Sequence, residues 1–177
     1  MIIENNNINI KISKLAVLTS GGDAPGMNAA IRSVARSCSH YGIQCFGVSR
    51  GYQGLIEGKI KPLGTRSVKN ILNKGGTILK SARSKEFMTK EGRLKAHETL
   101  KNQEINNLVV IGGDGSFTGG YIFEKEFGVS VVGIPGTIDN DIFGTDSTVG
   151  YDTALNTVVE AIDKTVSYTH LTLPTKA

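Results

Sequence analysis

Three short stretches carry the residues best suited to chemistry. Residues 134–141 read IPGTIDND and set Asp139, Asn140 and Asp141 side by side after an apolar run. A turn needs only one Asp or Asn, and the stretch offers no cationic neighbour to pair a structural carboxylate. Two carboxylates this close can divide the work of proton transfer, one accepting the proton and the other supporting it. Taken alone, the same residues also suit an Asx-type turn. Residues 111–116 read IGGDGS, with Asp114 among Gly112, Gly113 and Gly115 and Ser116 opening a helix. A carboxylate held among glycines can reach a Mg²⁺ ion unobstructed, while the backbone N–H groups face phosphate oxygens. The competing reading is a helix cap, for which Ser116 already suffices. In TSGGDAPG, residues 19–26, Gly21 and Gly22 free backbone N–H groups to approach an anion just ahead of a helix N-terminus. That loop lacks the Gly-Lys-Ser/Thr of a P-loop and the spacing of a dinucleotide turn, and a tight turn before a helix competes with the anion reading. A base, a metal-holding carboxylate and anion-binding loops are what phosphoryl transfer to an alcohol requires.

Each stretch follows an apolar run. KLAVLT (14–19) and NLVVIGG (107–113) have the length and composition of buried parallel strands, and IQCFGV (43–48) and VSVVGI (129–134) read as two further strands. Helical spacing runs from Met27 through Ile31, Val34 and Cys38 to Tyr41, ending at Gly42. SVKNILNK (67–74), KEGRLKAHETLKNQ (90–103), GYIFEKEF (120–127) and GYDTALNTVVEAIDK (150–164) also read as helices. Strands alternating with helices predict an α/β, Rossmann-like parallel sheet with helices on both faces. In such sheets ligands bind beyond the carboxyl ends of the strands, so the three loops are expected to converge on one crevice.

Composition bounds the rest. The 177 residues are 39% hydrophobic and 20% charged, values that support one folded domain and exclude wholesale disorder. A net charge of +4 and a run of Lys and Arg between Lys59 and Lys101 suit phosphorylated small molecules as well as nucleic acid. With aromatics at 6% and no Trp, little stacking surface exists for bases, and no nucleic-acid partner is expected. No apolar run spans a membrane and no signal-peptide core opens the chain, so a cytoplasmic location is expected. Cys38 and Cys45 have no metal-ligand spacing and read as core thiols.

Across residues 14–164 the chain resembles the N-terminal, ATP-binding half of bacterial 6-phosphofructokinases. The resemblance rests on LTSGGDAPGMNAAIRSVAR, GYQGLIEG, GGTILKSAR, LVVIGGDGS and PGTIDNDIFGTDSTVGYDTALNTVVEAIDK. It implies that ATP contacts Gly22, Tyr52, Arg83, Ser84, Gly113, Asp114, Gly115, Ser116 and Gly119, with Asp114 holding Mg²⁺. It implies that Thr137, Ile138 and Asp139 meet fructose 6-phosphate, that Asp139 accepts the proton of the 1-hydroxyl, and that Asp141 supports it. Arg83 would also place a cation by the transferring phosphate. Arg32 and Arg36, one helical turn apart, match effector-site arginines that bind ADP or phosphoenolpyruvate between subunits of a homotetramer; an ordinary solvated helix face is the competing reading. Relatives that use pyrophosphate typically carry Asp at the position of Gly115 and Lys at that of Gly136, which favours ATP here. A pyrophosphate-dependent enzyme and a non-catalytic nucleotide-binding subunit are the alternatives. Many relatives have Arg at the position of Thr65, whereas here it is Arg66, which puts the effector response in question.

The ends differ from this pattern. Residues 1–13 read as a ragged extension. After Lys164 the resemblance stops, and VSYTHLTL alternates as a short strand would. Val166–Pro174 also equals, residue for residue, the translation of a transposase adapter used in sequencing libraries. Residues 165–177 are therefore expected to be a non-native tail on a truncated frame, leaving the chain by itself inactive and prone to aggregate.

Overall fold

A computed structural model of the chain describes the backbone of residues 12–172 and the side chains of residues 12–166. Most of the expected N-terminal extension, and the end of the expected tail, lie outside the described residues. The sheet has five strands: β1 (Lys14–Thr19), β2 (Gln44–Val48), β3 (Ile60–Pro62), β4 (Asn107–Gly112) and β5 (Ser130–Pro135), in the order β3-β2-β1-β4-β5. β1 lies at the centre, parallel to both neighbours, with Ala16 opposite Phe46 on β2 and Leu108 on β4. β5 extends the parallel set beside β4.

Side-chain alternation divides the core in two. Ala16, Leu18, Leu108 and Val110 point to one face, where they meet Leu55, Ala96, Leu100 and Phe123. Val17, Val109 and Ile111 point to the other, against Met27, Ile31, Ala35 and Cys38. β1 and β4 are therefore buried at every position in their middles, which is why they read as runs and not as alternating patterns. The first face is covered by α2 (Gly51–Ile56), α3 (Lys90–Asn102) and α4 (Asp114–Phe127). The second is covered by α1 (Met27–His40) and the segment containing Leu63, Val68, Ile71 and Leu79. Both cysteines are free and buried in this second layer; burial pushes the Cys45 thiol up to about 12.

Four expectations are corrected. Residues 67–74 form turns and no helix; Val68 and Ile71 are buried as their spacing implied, but Asn70 takes φ of 58°, and a left-handed residue cannot continue a right-handed helix. The sheet is not wholly parallel, because β3 runs antiparallel to β2 as a three-residue edge. α4 begins at Asp114 with Gly113 as its cap, two residues before Ser116. Finally, α5 (Tyr151–Thr172) runs on past Lys164, the expected end of the helix, and the competing strand reading of the tail is not met at residues 165–172.

Leu155, Val158, Val159, Ile162 and Val166 on α5 recur at helical spacing and are each about half exposed, as is Val132 on the edge strand β5. Such a stripe is an apolar face without a partner among the described residues.

Candidate active site

Because β1, β4 and β5 are adjacent and parallel, the loops leaving their carboxyl ends emerge side by side. The ladder continues into the loops: the Ser20 N–H donates to the Ile111 carbonyl and the Gly136 N–H to the Gly112 carbonyl, both at 3.0 Å. The approach is so close at Gly112 that a Cβ there would stand 2.5 Å from the Ser20 carbonyl oxygen. Only glycine lets the first two loops meet at this point.

Between the loops lies a cleft of about 1040 Å³, the size of a small-molecule site. Gly22, Tyr52, Arg83, Ser84, Gly113, Asp114, Gly115, Ser116, Gly119, Thr137, Ile138, Asp139 and Asp141 all line it. Arg32 and Arg36 do not; they lie on α1, outside the cleft. Thr65 lines a separate cavity of about 530 Å³ between α1 and the β2–β3 edge.

Asp114 and Gly115 stand in the first turn of α4, both exposed to the cleft. Their backbone N–H groups have no intrahelical acceptor and the helix presents its positive end, while the Ser116 N–H donates to the Gly113 carbonyl at 3.0 Å. Ser116 is buried, and a Cβ at Gly21 would lie 3.6 Å from its Oγ, so the first and second loops pack together. On the facing side, the Thr137 hydroxyl accepts from the Asp139 N–H at 3.2 Å, and Asp139 and Asp141 are exposed toward the cleft.

The remaining wall is built by aromatic packing. Tyr52 is 5% exposed, and its ring stacks on Phe87 with centroids 3.9 Å apart. Its hydroxyl donates to the Ser116 carbonyl at 2.7 Å, tying α2 to the first turn of α4, and burial raises its pKa. A Cβ at Gly119 would lie 3.5 Å from Phe87 and 3.6 Å from Tyr52, so a larger side chain there would press on this stack. The Ser84 hydroxyl donates to Gln53 Oε1 at 2.7 Å and accepts the Phe87 N–H at 3.1 Å; it holds the 3-10 turn over Glu86–Met88. Arg83 is exposed into the cleft beside it.

Arg93 was not legible as a cleft residue in the sequence. It is 9% exposed, lines the cleft, and forms a fork with Glu126 on α4, with Nε at 2.6 Å and Nη2 at 2.8 Å. Its Nη1 donates to the carbonyls of Phe87 and Met88 at 3.1 and 2.8 Å. One planar cation thus binds α3, α4 and the 86–88 turn together. The hydrogen bonds from Arg93 hold the Glu126 carboxyl below its ordinary range. Gln53, Asn140 and Thr148 were likewise missed, since each acts through a partner distant in sequence or through the backbone.

Comparison with known proteins agrees with this geometry. Residues 14–170 match the Phosphofructokinase family model. The chain is 58% identical over 150 residues to "ATP-dependent 6-phosphofructokinase 2" of Bacteroides thetaiotaomicron, covering 85% of this chain and 46% of that protein. It is 56% identical over 153 residues to "ATP-dependent 6-phosphofructokinase 1" of Thermus thermophilus, covering 86% and 48%. The structure of phosphofructokinase from Saccharomyces cerevisiae superposes with a TM-score of 0.86 at 41% identity, over 88% of this chain and 24% of that one. The chain spans about half the length of the curated relatives it matches. A largely parallel sheet with a glycine-lined cleft at its carboxyl edge, and a family match over nearly all of the described length, place this chain in the phosphofructokinase family.

Proposed function

We propose that the whole protein transfers the γ-phosphoryl group of ATP to the 1-hydroxyl of fructose 6-phosphate. The observation that carries this reading is the meeting, in one cleft, of the α4 N-terminal turn bearing Asp114 with the turn bearing Asp139 and Asp141. Asp139 takes the hydroxyl proton, the sugar oxygen forms a bond to the γ-phosphorus, and the bond to the β–γ bridging oxygen breaks. Asp141 supports the base, Thr137 and Ile138 border the sugar, and Arg83 offers positive charge where it is needed as the phosphoryl group moves. The Gly113–Ser116 turn faces the nucleotide phosphates, and Gly22, Tyr52 and Gly119 border the nucleotide.

Among the described residues no group of three or more acidic, His or Cys side chains could hold a metal unaided. Asp114 as a lone carboxylate fits Mg²⁺, which commonly binds one or two carboxylates and completes its shell with water and substrate phosphates. When bound, the ion would neutralise phosphate charge. Effector binding at Arg32 and Arg36, a homotetramer and a cytoplasmic location belong to the same proposal. Among the described residues no helix is long and apolar enough to cross a membrane.

The test is ADP formation by the purified full-length protein with ATP, Mg²⁺ and fructose 6-phosphate. Turnover with pyrophosphate in place of ATP would select the alternative donor. The 177-residue chain assayed alone is expected to show no turnover and to self-associate by light scattering, since its apolar α5 stripe is bare. Measurable ADP formation by that chain would show that the site is complete without further sequence.

Donor choice gives a further expected outcome. Nothing lies within 4 Å of a Cβ placed at Gly115, so the backbone accommodates a side chain and the cleft receives it. Gly115→Asp would add a carboxylate against the nucleotide phosphates, a like-charge contact costing on the order of 2–3 kcal/mol. The kcat/KM for ATP should fall by roughly 30–140-fold. A change of less than about threefold would mean that Gly115 does not face the phosphates.

A further inference from the structure

The turn that carries Asp139 and Asp141 is held from behind by two residues that have no part in the chemistry above. Asn140 sits between the carboxylates with φ of 51°, in the left-handed region that Asn tolerates because its short side chain bonds locally. Its Oδ1 accepts the Thr148 N–H at 2.9 Å, and its Nδ2 donates to the Asp146 carbonyl at 3.4 Å. Thr148 completes the clamp: its Oγ1 donates to the Thr137 carbonyl at 2.7 Å. Thr148 is 4% exposed, one of few buried polar side chains among the described residues.

The clamp belongs to a short splint. The Val149 N–H donates to the Pro135 carbonyl at 2.8 Å, and Val149 bridges in parallel to Gly136. The splint is wedged against the first loop as well. At Gly150, where φ is 106°, a Cβ would stand 2.6 Å from the Pro25 carbonyl oxygen; at Gly26 one would stand 2.8 Å from Val149 Cγ1. By contrast, the Asp139 side chain itself is loosely tethered, with Thr137 Oγ1 3.5 Å from its Oδ2 in an exposed setting. The backbone of the turn therefore sets where that carboxylate points, and the clamp sets the backbone.

We propose that Asn140 and Thr148 are positioning residues for Asp139, acting through the Thr137–Asn140 backbone without touching substrate. The inference rests on reading Asp139 as the proton acceptor. Such a group must stay within hydrogen-bond reach of its proton, and a misplacement near 1 Å costs about 10²-fold in rate.

The experiment uses the full-length protein. Thr148→Val removes the hydroxyl donor at nearly constant shape, and kcat should fall by roughly 10–100-fold. KM for ATP, and affinity for a non-hydrolysable ATP analogue, should stay within about twofold, because the lost hydroxyl bonds the Thr137 carbonyl and no group of the nucleotide-side loops. Thr148→Ser restores the donor and should return kcat to within about threefold of the parent. Asn140→Gly keeps access to the left-handed backbone but loses the acceptor, and should lower kcat in the same way. If Thr148→Val folds poorly, the Ser and Gly variants still decide. A kcat within about twofold of the parent for both Thr148→Val and Asn140→Gly overturns the inference, as does a parallel loss of kcat and nucleotide affinity. Asp139→Asn separates the two layers. If it keeps its kcat, the base reading fails and takes the clamp with it. If it is inactive while Thr148→Val is unimpaired, only the positioning role is lost.

Discussion

Asp139→Asn in the full-length protein is expected to lower kcat by about 10²–10⁴-fold, the range that a positioned general base contributes. The substitution keeps the shape of the side chain and removes its capacity to take a proton. The turn need not move, because the Asp139 N–H makes the 3.2 Å bond to Thr137 Oγ1, and the carboxylate's own 3.5 Å contact with that hydroxyl is one that an amide oxygen can keep. The Asn140–Thr148 contacts are also untouched. ATP affinity should therefore hold within about twofold, and the loss should appear in kcat, as for an interaction made only in the transition state. Steady-state kinetics with a nucleotide-binding titration make the distinction. A variant with unchanged kcat would move the proton acceptor elsewhere, and Asp141, the other carboxylate lining the same wall, would be the next to replace.

The second large effect concerns stability. Phe123 is completely buried on the inner face of α4. Its ring lies 5.5 Å from that of Phe87 in the cleft wall, 5.4 Å from that of Phe127 on the same helix and 6.5 Å from that of His97 on α3. Phe123→Ala should cost about 3–5 kcal/mol through lost transfer energy and the cavity left behind. For a domain of this size that is a fall on the order of 10 °C in unfolding midpoint. Because Phe87 stacks on Tyr52, the loosened packing should also weaken ATP binding before the fold is lost. Thermal unfolding with and without ATP measures both. A drop below about 1 kcal/mol would mean that the aromatic row repacks around the void.

What could be read from the sequence followed the physics of each element. β1 and β4 stood out because strands buried on both faces are continuous apolar runs, and α1 because its apolar stripe is uninterrupted. The three glycine-rich loops were legible, since close backbone approach and exposed carboxylates demand particular residue types. Residues 67–74 misled because burial of Val68 and Ile71 at a spacing of three is met equally by turns. The six-residue α2 and three-residue β3 are too short to show a period. Arg93 and Glu126 are thirty-three positions apart, and no local pattern links them. Asn140 sat in plain view between two acids, yet its role depends on Thr148, eight residues on. The opening puzzle of IPGTIDND resolves in these terms: the outer two acids face the cleft, and the residue between them faces the scaffold.

The central place of β1 has a consequence for how the chain is made. Its partner on one side, β2, follows about thirty residues later in the chain, but its partner on the other, β4, follows only after about ninety. At roughly 5–20 residues per second, the far edge of β1 waits on the order of 5–20 s on the ribosome for its complement. Through that interval Val17 and Leu18, later sealed from water, belong to an open strand edge in the nascent chain. The loops that line the cleft can meet only once that wait ends.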